Sequence, residues 1–200
     1  MTAINGVLGN AFLLANRHHA GRVRKGTTTP YIAHLMAVSA LVLEYGGTVE
    51  QAAAALLHDV VEDTGCALKE IVEKAGLDVA RIVEACTHRE FSDILDSEER
   101  ALVKKRVYLE RLVSVDRLAS ANLVALCDKV HNSECTLRDW RSSGRNVAMF
   151  DKFNGGYHIQ RHWYASLVDA FDKLDVPCDL RTRLRCAVTA VFGNSYENSI

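Results

Sequence analysis

The sequence has little proline, no closely spaced pair of cysteines and no large excess of charge of either sign. Only 2 of its 200 residues are proline, and few stretches alternate β-branched with polar residues, so a β-rich fold is disfavoured. The formal net charge of -1 gives no overall field that would attract nucleic acid or an anionic membrane. No apolar run is long enough for a transmembrane helix, and no basic segment precedes the modest apolar stretch near the N-terminus. We therefore expect neither a membrane span nor a secretory signal peptide.

The six cysteines are scattered along the chain rather than grouped. This pattern argues against a zinc knuckle and against a small disulfide scaffold, and it is typical of thiols in a reducing cytosol. With 48% hydrophobic residues, the chain can bury one sizeable core. We therefore predict a single cytoplasmic domain over residues 1–200, with its core at about 3–192 and a polar tail at 193–200.

Helix-forming patterns with start and stop signals occupy most of the chain, which predicts an all-α helical bundle. Thr29 and Pro30 suit the N-cap and the first position of one helix, and a later Gly-Gly pair suits its end. Thr48 and Gln51 fit a capping box for the next helix, which is expected to run to about Glu62. Further helices are predicted at about 2–19, 68–74, 78–87, 97–113, 120–140, 157–174 and 180–192.

Four ionisable residues interrupt apolar segments on three of these helices: His34, His58, Asp59 and Asp128. Alone, His34 is more typical of a hydrogen-bonded core histidine, and Asp128 could form a buried ion pair. Burying His58 and Asp59 together without a cation or a metal costs too much free energy, so the four residues jointly favour a metal site. Helix neighbours point about 100° apart, so this pair can share an ion that lies between them. Two imidazoles and two carboxylates inside a bundle suit manganese, iron or zinc better than calcium.

Glu62 and Asp63 lie one helical turn beyond His58 and Asp59, beside the expected ion rather than necessarily on it. Carboxylates in that place can orient or deprotonate a water on the metal, or protonate a leaving oxygen. The alternative interpretation of this acidic pair is a helix end whose carboxylates are simply solvated.

The RVRK segment at 22–25 is the clearest cationic cluster of the chain and can bind phosphate groups. The alternative interpretation is an ordinary solvated loop.

Three blocks of the sequence are similar to HD-domain metal-dependent phosphohydrolases. More narrowly, they resemble the hydrolase domain of RelA/SpoT-type enzymes and the stand-alone small alarmone hydrolases. The blocks are HHAGRVRKGTTTPYIAH at 18–34, AALLHDVVEDTG at 54–65 and LCDKVHNSECTLRDW at 126–140. They follow the order and spacing of the family, and their combination is specific, whereas a bare His-Asp pair occurs with many chemistries.

The resemblance implies a helical HD-domain bundle with one manganese ion between its helices, held by His34, His58, Asp59 and Asp128. It implies that Glu62 and Asp63 act on the water bound to that ion, and that the substrate is contacted by Arg24, Lys25 and Asn132. The implied substrate is a small nucleotide. The implied reaction removes pyrophosphate from the 3′ position of guanosine tetra- or pentaphosphate and returns GDP or GTP.

The resemblance leaves the substrate open. Relatives of this type can also remove the 2′-phosphate of NADPH, and hydrolysis of an adenosine alarmone would use the same ligands. The chain departs from the usual family residues at Arg22, Leu35 and Cys127, none of which is an implied ligand. Two alternatives of another class are a catalytically silent nucleotide sensor and an interaction bundle without metal. Other divalent ions could replace manganese, and the sequence does not determine the oligomeric state.

Overall fold

Helices make up most of the chain wherever the structure describes it. The computed structural model describes residues 3–87, 97–114, 118–153 and 155–193. The α-helices in these ranges are α1 Ala3–His18, α2 Ile32–Glu44, α3 Val49–Leu57, α4 Val60–Thr64, α5 Leu68–Ala75, α6 Leu77–Cys86, α7 Ser97–Leu112, α8 Ser120–Ser142, α9 Gly156–Phe171 and α10 Cys178–Phe192. A short 3-10 helix at Val147–Phe150 lies between α8 and α9. The described ranges contain no β-strand, which confirms the all-α prediction.

The predicted start of α2 is wrong by about two residues. Thr29 and Pro30 belong instead to the loop before α2, which begins at Ile32. In that loop Pro30 forms an isolated antiparallel bridge with Val23, and the Arg24 backbone N–H donates to the Thr29 carbonyl at 2.9 Å. Because these backbone groups are used to close the basic loop on itself, the helix starts only after the bridge.

The helix predicted from Thr48 to about Glu62 is divided in two. Its start is as predicted, because Thr48 and Gln51 form a reciprocal capping box. His58 and Asp59 form a turn between the two helices, in which Asp59 stays in the right-handed region but is distorted to φ -100° and ψ -6°, and the chain resumes as α4 at Val60. This break lies at the His58-Asp59 pair that the sequence marks as ionisable.

The structure divides into two compact units. The first comprises residues 1–88 with 116–128, and the second comprises 89–115 with 129–200, so the boundary falls within α8. In the first unit α3 packs against α1, α2 and α6, and residues 52–57 of α3 are all buried. Four of these are consecutive alanines, whose small side chains let neighbouring helices approach closely. The prediction of a single domain over the whole chain stays a prediction.

The second unit is built around α9. This helix packs against α7, α10 and the 3-10 helix. Aromatic rings form much of its interior: Phe150 is fully buried, and its centroid lies 5.2 Å from that of Tyr157 and 5.5 Å from that of Phe192. None of the helices in the described ranges combines the length and the apolarity needed to cross a membrane.

Gly47, at the turn between α2 and α3, provides a test of this packing. A Cβ atom there would lie 2.5 Å from Val42 Cγ1, 2.7 Å from the Val42 carbonyl oxygen and 2.9 Å from Leu123 Cδ2. We expect Gly47→Ala to lower the free energy of unfolding by about 1–3 kcal/mol, measured by urea denaturation, because part of the contact is with backbone. The matched control is Gly9→Ala on α1, where an added Cβ meets no atom within 4 Å. That change should leave stability equal or raise it by up to about 1 kcal/mol; equal loss in both variants would contradict the prediction.

Candidate metal centre

All four predicted ligands come together in the first unit. His34 lies on α2, His58 and Asp59 lie at the break between α3 and α4, and Asp128 lies on α8. Nε2 of His34 is 3.2 Å from Asp128 Oδ1 and 3.8 Å from Asp59 Oδ2. Nε2 of His58 is 3.0 Å from Asp59 Oδ2 and 3.5 Å from Asp128 Oδ1. Asp59 is the most accessible of the four, with 27% of its side chain exposed, so the cluster has one open side.

The orientation of His58 shows what the cluster needs at its centre. Nδ1 lies 2.8 Å from the Ala55 carbonyl, which can only accept, so Nδ1 carries a hydrogen. In a neutral ring Nε2 then presents a lone pair to the oxygens of Asp59 and Asp128. Nε2 is buried and makes no hydrogen bond of acceptable geometry. A lone pair held this close to two carboxylates is stable only if a cation lies among them.

The electrostatics of the metal-free cluster lead to the same requirement. Burial alone would lower the pKa of His58, but the charges of Asp59 and Asp128 outweigh it and raise that pKa well above the usual value. Burial alone would raise the pKa of Asp59, but His58 outweighs it and lowers that pKa. Burial lowers the pKa of His34, which favours a neutral imidazole. Without a metal, the cluster therefore keeps a proton on His58, and a divalent ion can take the place of that positive charge.

The spacing of the donor atoms fits one ion. With metal–ligand bonds of about 2.1 Å, neighbouring ligands lie about 3.0 Å apart at 90° and about 3.4 Å apart in a tetrahedron. The four imidazole–carboxylate separations, from 3.0 to 3.8 Å, are close to this range. Donor atoms of His34, His58 and Asp59 lie within 4.8 Å of one another, and Asp128 approaches both imidazoles. These residues therefore fit a divalent ion with mixed nitrogen and oxygen ligands.

Tyr31 supports the cluster from outside, and sequence reasoning missed it. Its hydroxyl donates to Asp59 Oδ2 at 2.6 Å. Burial and the Asp59 charge raise the pKa of Tyr31, so the phenol keeps the proton that it donates. The ring of His19 stacks on Tyr31 at 4.8 Å, and burial lowers the pKa of His19 to about 4. Tyr31 and Asp59 are 28 residues apart, so no local pattern in the sequence predicts their hydrogen bond. The only signal in the sequence was the position of Tyr31 in the PYIAH part of the first family block.

The acidic pair lies on α4, directly after the cluster. Glu62 is exposed and Asp63 is half-buried. Burial, with the nearby charge of Asp59, raises the pKa of Asp63 to about 6. Nη1 of Arg22 approaches Asp63 Oδ2 at 3.4 Å. The sequence identified Arg22 as part of the cationic RVRK segment and as a departure from the family, and the structure adds that its side chain approaches the acidic pair.

The positions of the predicted substrate-binding residues do not by themselves establish a contact with a nucleotide. Arg24 is half-buried and Lys25 exposed on the loop before α2. Asn132 lies on α8 four residues after Asp128 and belongs to the second unit. Their roles in binding a substrate stay predictions.

Comparison with known proteins identifies the family. The model of the HD domain matches residues 11–148. A guanosine-3′,5′-bis(diphosphate) 3′-pyrophosphohydrolase, MESH1 of Xenopus tropicalis, is 34% identical over 140 residues, which cover 67% of this chain and 73% of that protein. The bifunctional (p)ppGpp synthase/hydrolase SpoT of Escherichia coli K12 is 32% identical over 125 residues. The chain therefore belongs to the HD-domain family.

Solved structures agree with this at the level of the fold. A structure described as a metazoan orthologue of SpoT that hydrolyses ppGpp superposes with a TM-score of 0.68 at 24% identity, covering 94% of both chains. The protein lmo0812 of Listeria monocytogenes EGD-e gives a TM-score of 0.63 at 23% identity, covering 83% of this chain and 99% of that one. Against the long relatives the match is partial: the chain spans 17% of SpoT and 15% of a probable GTP pyrophosphokinase of Mycobacterium leprae.

Tyr31→Phe tests the support that the hydroxyl gives to Asp59. The variant keeps the ring that stacks on His19 and removes only the 2.6 Å hydrogen bond. We expect the affinity for Mn²⁺, measured by isothermal titration calorimetry, to fall about tenfold or more, because groups that orient a ligand commonly contribute that much. Tyr157→Phe, which changes a ring in the second unit, is the control and should bind as the wild type does. Equal affinities in all three proteins would show that the hydroxyl does not orient Asp59.

Proposed function

We propose that the chain is a metal-dependent phosphohydrolase that releases pyrophosphate from the 3′ position of guanosine tetra- or pentaphosphate, leaving GDP or GTP. The observation that carries the proposal is the cluster of two imidazoles and two carboxylates, with one open side and an acidic pair one helical turn away. Membership of the HD-domain family supports it, as do relatives named as hydrolases of this nucleotide.

His34, His58, Asp59 and Asp128 would hold the ion, which we propose to be manganese. These ligands are two imidazoles and two carboxylates without a thiolate, and they suit a divalent ion between the hard and the soft metals. When bound, such an ion polarises a phosphoryl oxygen and makes a neighbouring water more acidic. Ala55 and Tyr31 fix the ligands, since the carbonyl sets the tautomer of His58 and the phenol holds one oxygen of Asp59.

Glu62 and Asp63 would manage the protons of the reaction. Hydrolysis forms a bond between a water oxygen and the phosphorus atom on the 3′ oxygen, and breaks the bond from that phosphorus to the 3′ oxygen. The water must lose a proton as it attacks, and the 3′ oxygen must gain one as it leaves. Two carboxylates beside the ion can accept the first proton and supply the second. Arg22, held 3.4 Å from Asp63, would help to keep that carboxylate facing the site.

The basic loop would bind the phosphates. The substrate carries several negative charges, whereas the chain as a whole has a net charge of only -1. Binding therefore depends on a local concentration of cations, which the loop provides with Arg22, Arg24 and Lys25 immediately before the helix of His34. Asn132, four residues after Asp128 on α8, stays a predicted contact to the nucleotide. We also propose that the protein works in the cytoplasm, which is supported by the scattered cysteines, a pattern typical of a reducing compartment.

The decisive experiment is a hydrolysis panel with manganese, in which products are identified by mass. The substrates are guanosine tetraphosphate, guanosine pentaphosphate, NADPH and an adenosine alarmone. We expect pyrophosphate and GDP or GTP from the two guanosine substrates, and in water enriched in heavy oxygen the label should enter pyrophosphate. Release of phosphate from NADPH alone would replace the proposed substrate while keeping the class. Tight nucleotide binding with no product from any substrate would identify a sensor and overturn the proposal.

Two variants in the same panel separate metal binding from proton transfer. Glu62→Gln should bind manganese as the wild type does but lose about 100-fold or more in kcat, because it loses a group that can carry a proton. His58→Ala should lose both the metal and turnover, since it removes a buried ligand. Metal content is measured by atomic spectroscopy after gel filtration. Full turnover in purified Glu62→Gln would remove that residue from the mechanism.

Arg24→Ala tests the contact of the basic loop with the substrate. We expect KM for guanosine tetraphosphate to rise about tenfold with little change in kcat, which is the loss typical of one hydrogen bond to a charged group. Arg81→Ala is the matched control, because Arg81 is an arginine on α6 with 61% of its side chain exposed. An unchanged KM in Arg24→Ala, equal to that of the control, would show that this side chain does not bind the substrate.

A further inference from the structure

A second group of potential metal ligands lies in the first unit and takes no part in the proposed hydrolysis. His18 is the last residue of α1, Cys66 lies in the loop between α4 and α5, and Glu70 is in the first turn of α5. Nε2 of His18 is 3.1 Å from Glu70 Oε2, and Cys66 Sγ is 3.4 Å from the same oxygen. One donor atom from each residue lies within 4.8 Å of the other two.

The two separations from the Glu70 oxygen are compatible with two edges of a tetrahedral zinc site. With zinc bonds of about 2.0 Å to oxygen and nitrogen and about 2.3 Å to sulfur, tetrahedral edges are about 3.3 Å between nitrogen and oxygen and about 3.5 Å between sulfur and oxygen. The observed 3.1 and 3.4 Å differ from these values by only a few tenths of an ångström. Cys66 is buried, with 4% of its surface exposed, while side-chain exposures of 21% for His18 and 30% for Glu70 leave a path to solvent.

Thr64 fixes the imidazole of His18 in the form that a metal requires. The Thr64 hydroxyl donates to the Val60 carbonyl at 2.6 Å, so its oxygen is left to accept from Nδ1 of His18 at 3.3 Å. In a neutral ring with the hydrogen on Nδ1, Nε2 carries the lone pair and lies 3.1 Å from the Glu70 carboxylate. This is the arrangement of a ligating histidine, which usually donates its other N–H to a neighbouring oxygen.

A lone pair facing a carboxylate needs a cation between them, and Arg17 supplies one in the metal-free protein. Its guanidinium contacts Glu70 Oε1, and Nη2 is 3.3 Å from Nε2 of His18. The Arg17 side chain is 59% exposed, so it can swing into solvent when another cation binds. The C-terminal end of α1, where His18 lies, also favours positive charge through the helix dipole.

We propose that His18, Cys66 and Glu70 form a second metal site, for zinc or a similarly thiophilic divalent ion, with the fourth position open to water. Sulfur makes the site softer than the cluster around His58, which has only nitrogen and oxygen ligands. Binding forms Zn–N, Zn–S and Zn–O bonds, releases the thiol proton to solvent and displaces Arg17. The bound ion would join three parts of the first unit: the end of α1, the loop that follows the acidic pair and the start of α5.

Cobalt(II) substitution tests the site without relying on catalysis. A thiolate ligand gives Co²⁺ an intense charge-transfer band in the near ultraviolet, and the cluster around His58 has no thiolate to produce one. We expect the band in the metal-stripped wild type loaded with Co²⁺, in His58→Ala and in the control Cys178→Ser, an exposed cysteine. The band should be absent from Cys66→Ser. A wild-type spectrum without the band, or one that Cys66→Ser retains, would overturn the proposal, whatever the panel of nucleotides shows.

Zinc affinity provides a second measurement, made in competition with a chromophoric chelator on the His58→Ala background so that only this site is titrated. We expect Cys66→Ser to weaken Zn²⁺ binding by more than about 100-fold, since it removes a ligand itself. Arg17→Gln should tighten binding by about two- to fivefold, because it removes a competing surface cation. Arg17 is exposed, so its variant tests the site even if a change at buried Cys66 disturbs folding. Weaker zinc binding in Arg17→Gln would contradict the proposed displacement.

Discussion

Two imidazoles and two carboxylates share a small, mostly buried volume, and they are compatible there only with a cation between them. The hydrogen bond from His58 Nδ1 to the Ala55 carbonyl strengthens this need for a cation, because it leaves Nε2 facing the carboxylate oxygens. In the metal-free protein a proton on His58 meets the demand, with Asp59 kept ionised beside it. A divalent ion meets it with more charge and more bonds. Most of the functional architecture of the first unit follows from this electrostatic requirement.

The surrounding fold can be understood as the means of holding these groups in place. The buried, alanine-rich α3 lets its neighbours approach closely, and the turn at His58 and Asp59 places both side chains at the end of this helix, beside His34 and Asp128. Tyr31 then fixes an oxygen of Asp59, and Arg22 approaches Asp63 from the basic loop. The second cluster obeys the same rule with softer ligands, since Arg17 there supplies the positive charge that His18 and Glu70 need.

Local signals in the sequence predicted much of this structure. The capping box of Thr48 and Gln51 formed as expected, and the four ionisable residues in apolar surroundings were found together. The errors arose where contacts distant in sequence compete with local preference. Pro30 is well suited to begin a helix, yet its bridge to Val23 keeps it in the loop. The interruption between α3 and α4 at His58 and Asp59 could not be predicted from the sequence, because neither proline nor glycine occurs there.

The sequence by itself determined which residues could hold an ion, because a histidine or an aspartate in an apolar helix needs a partner wherever the chain folds. It also determined the family, through the order and spacing of its three blocks. Only the tertiary structure decided that Tyr31, Arg22 and Thr64 support the ionisable residues, and that His18, Cys66 and Glu70 meet at all. The reason is physical: the demand for a counter-charge belongs to a residue, whereas the distance to the group that satisfies it depends on how the helices pack.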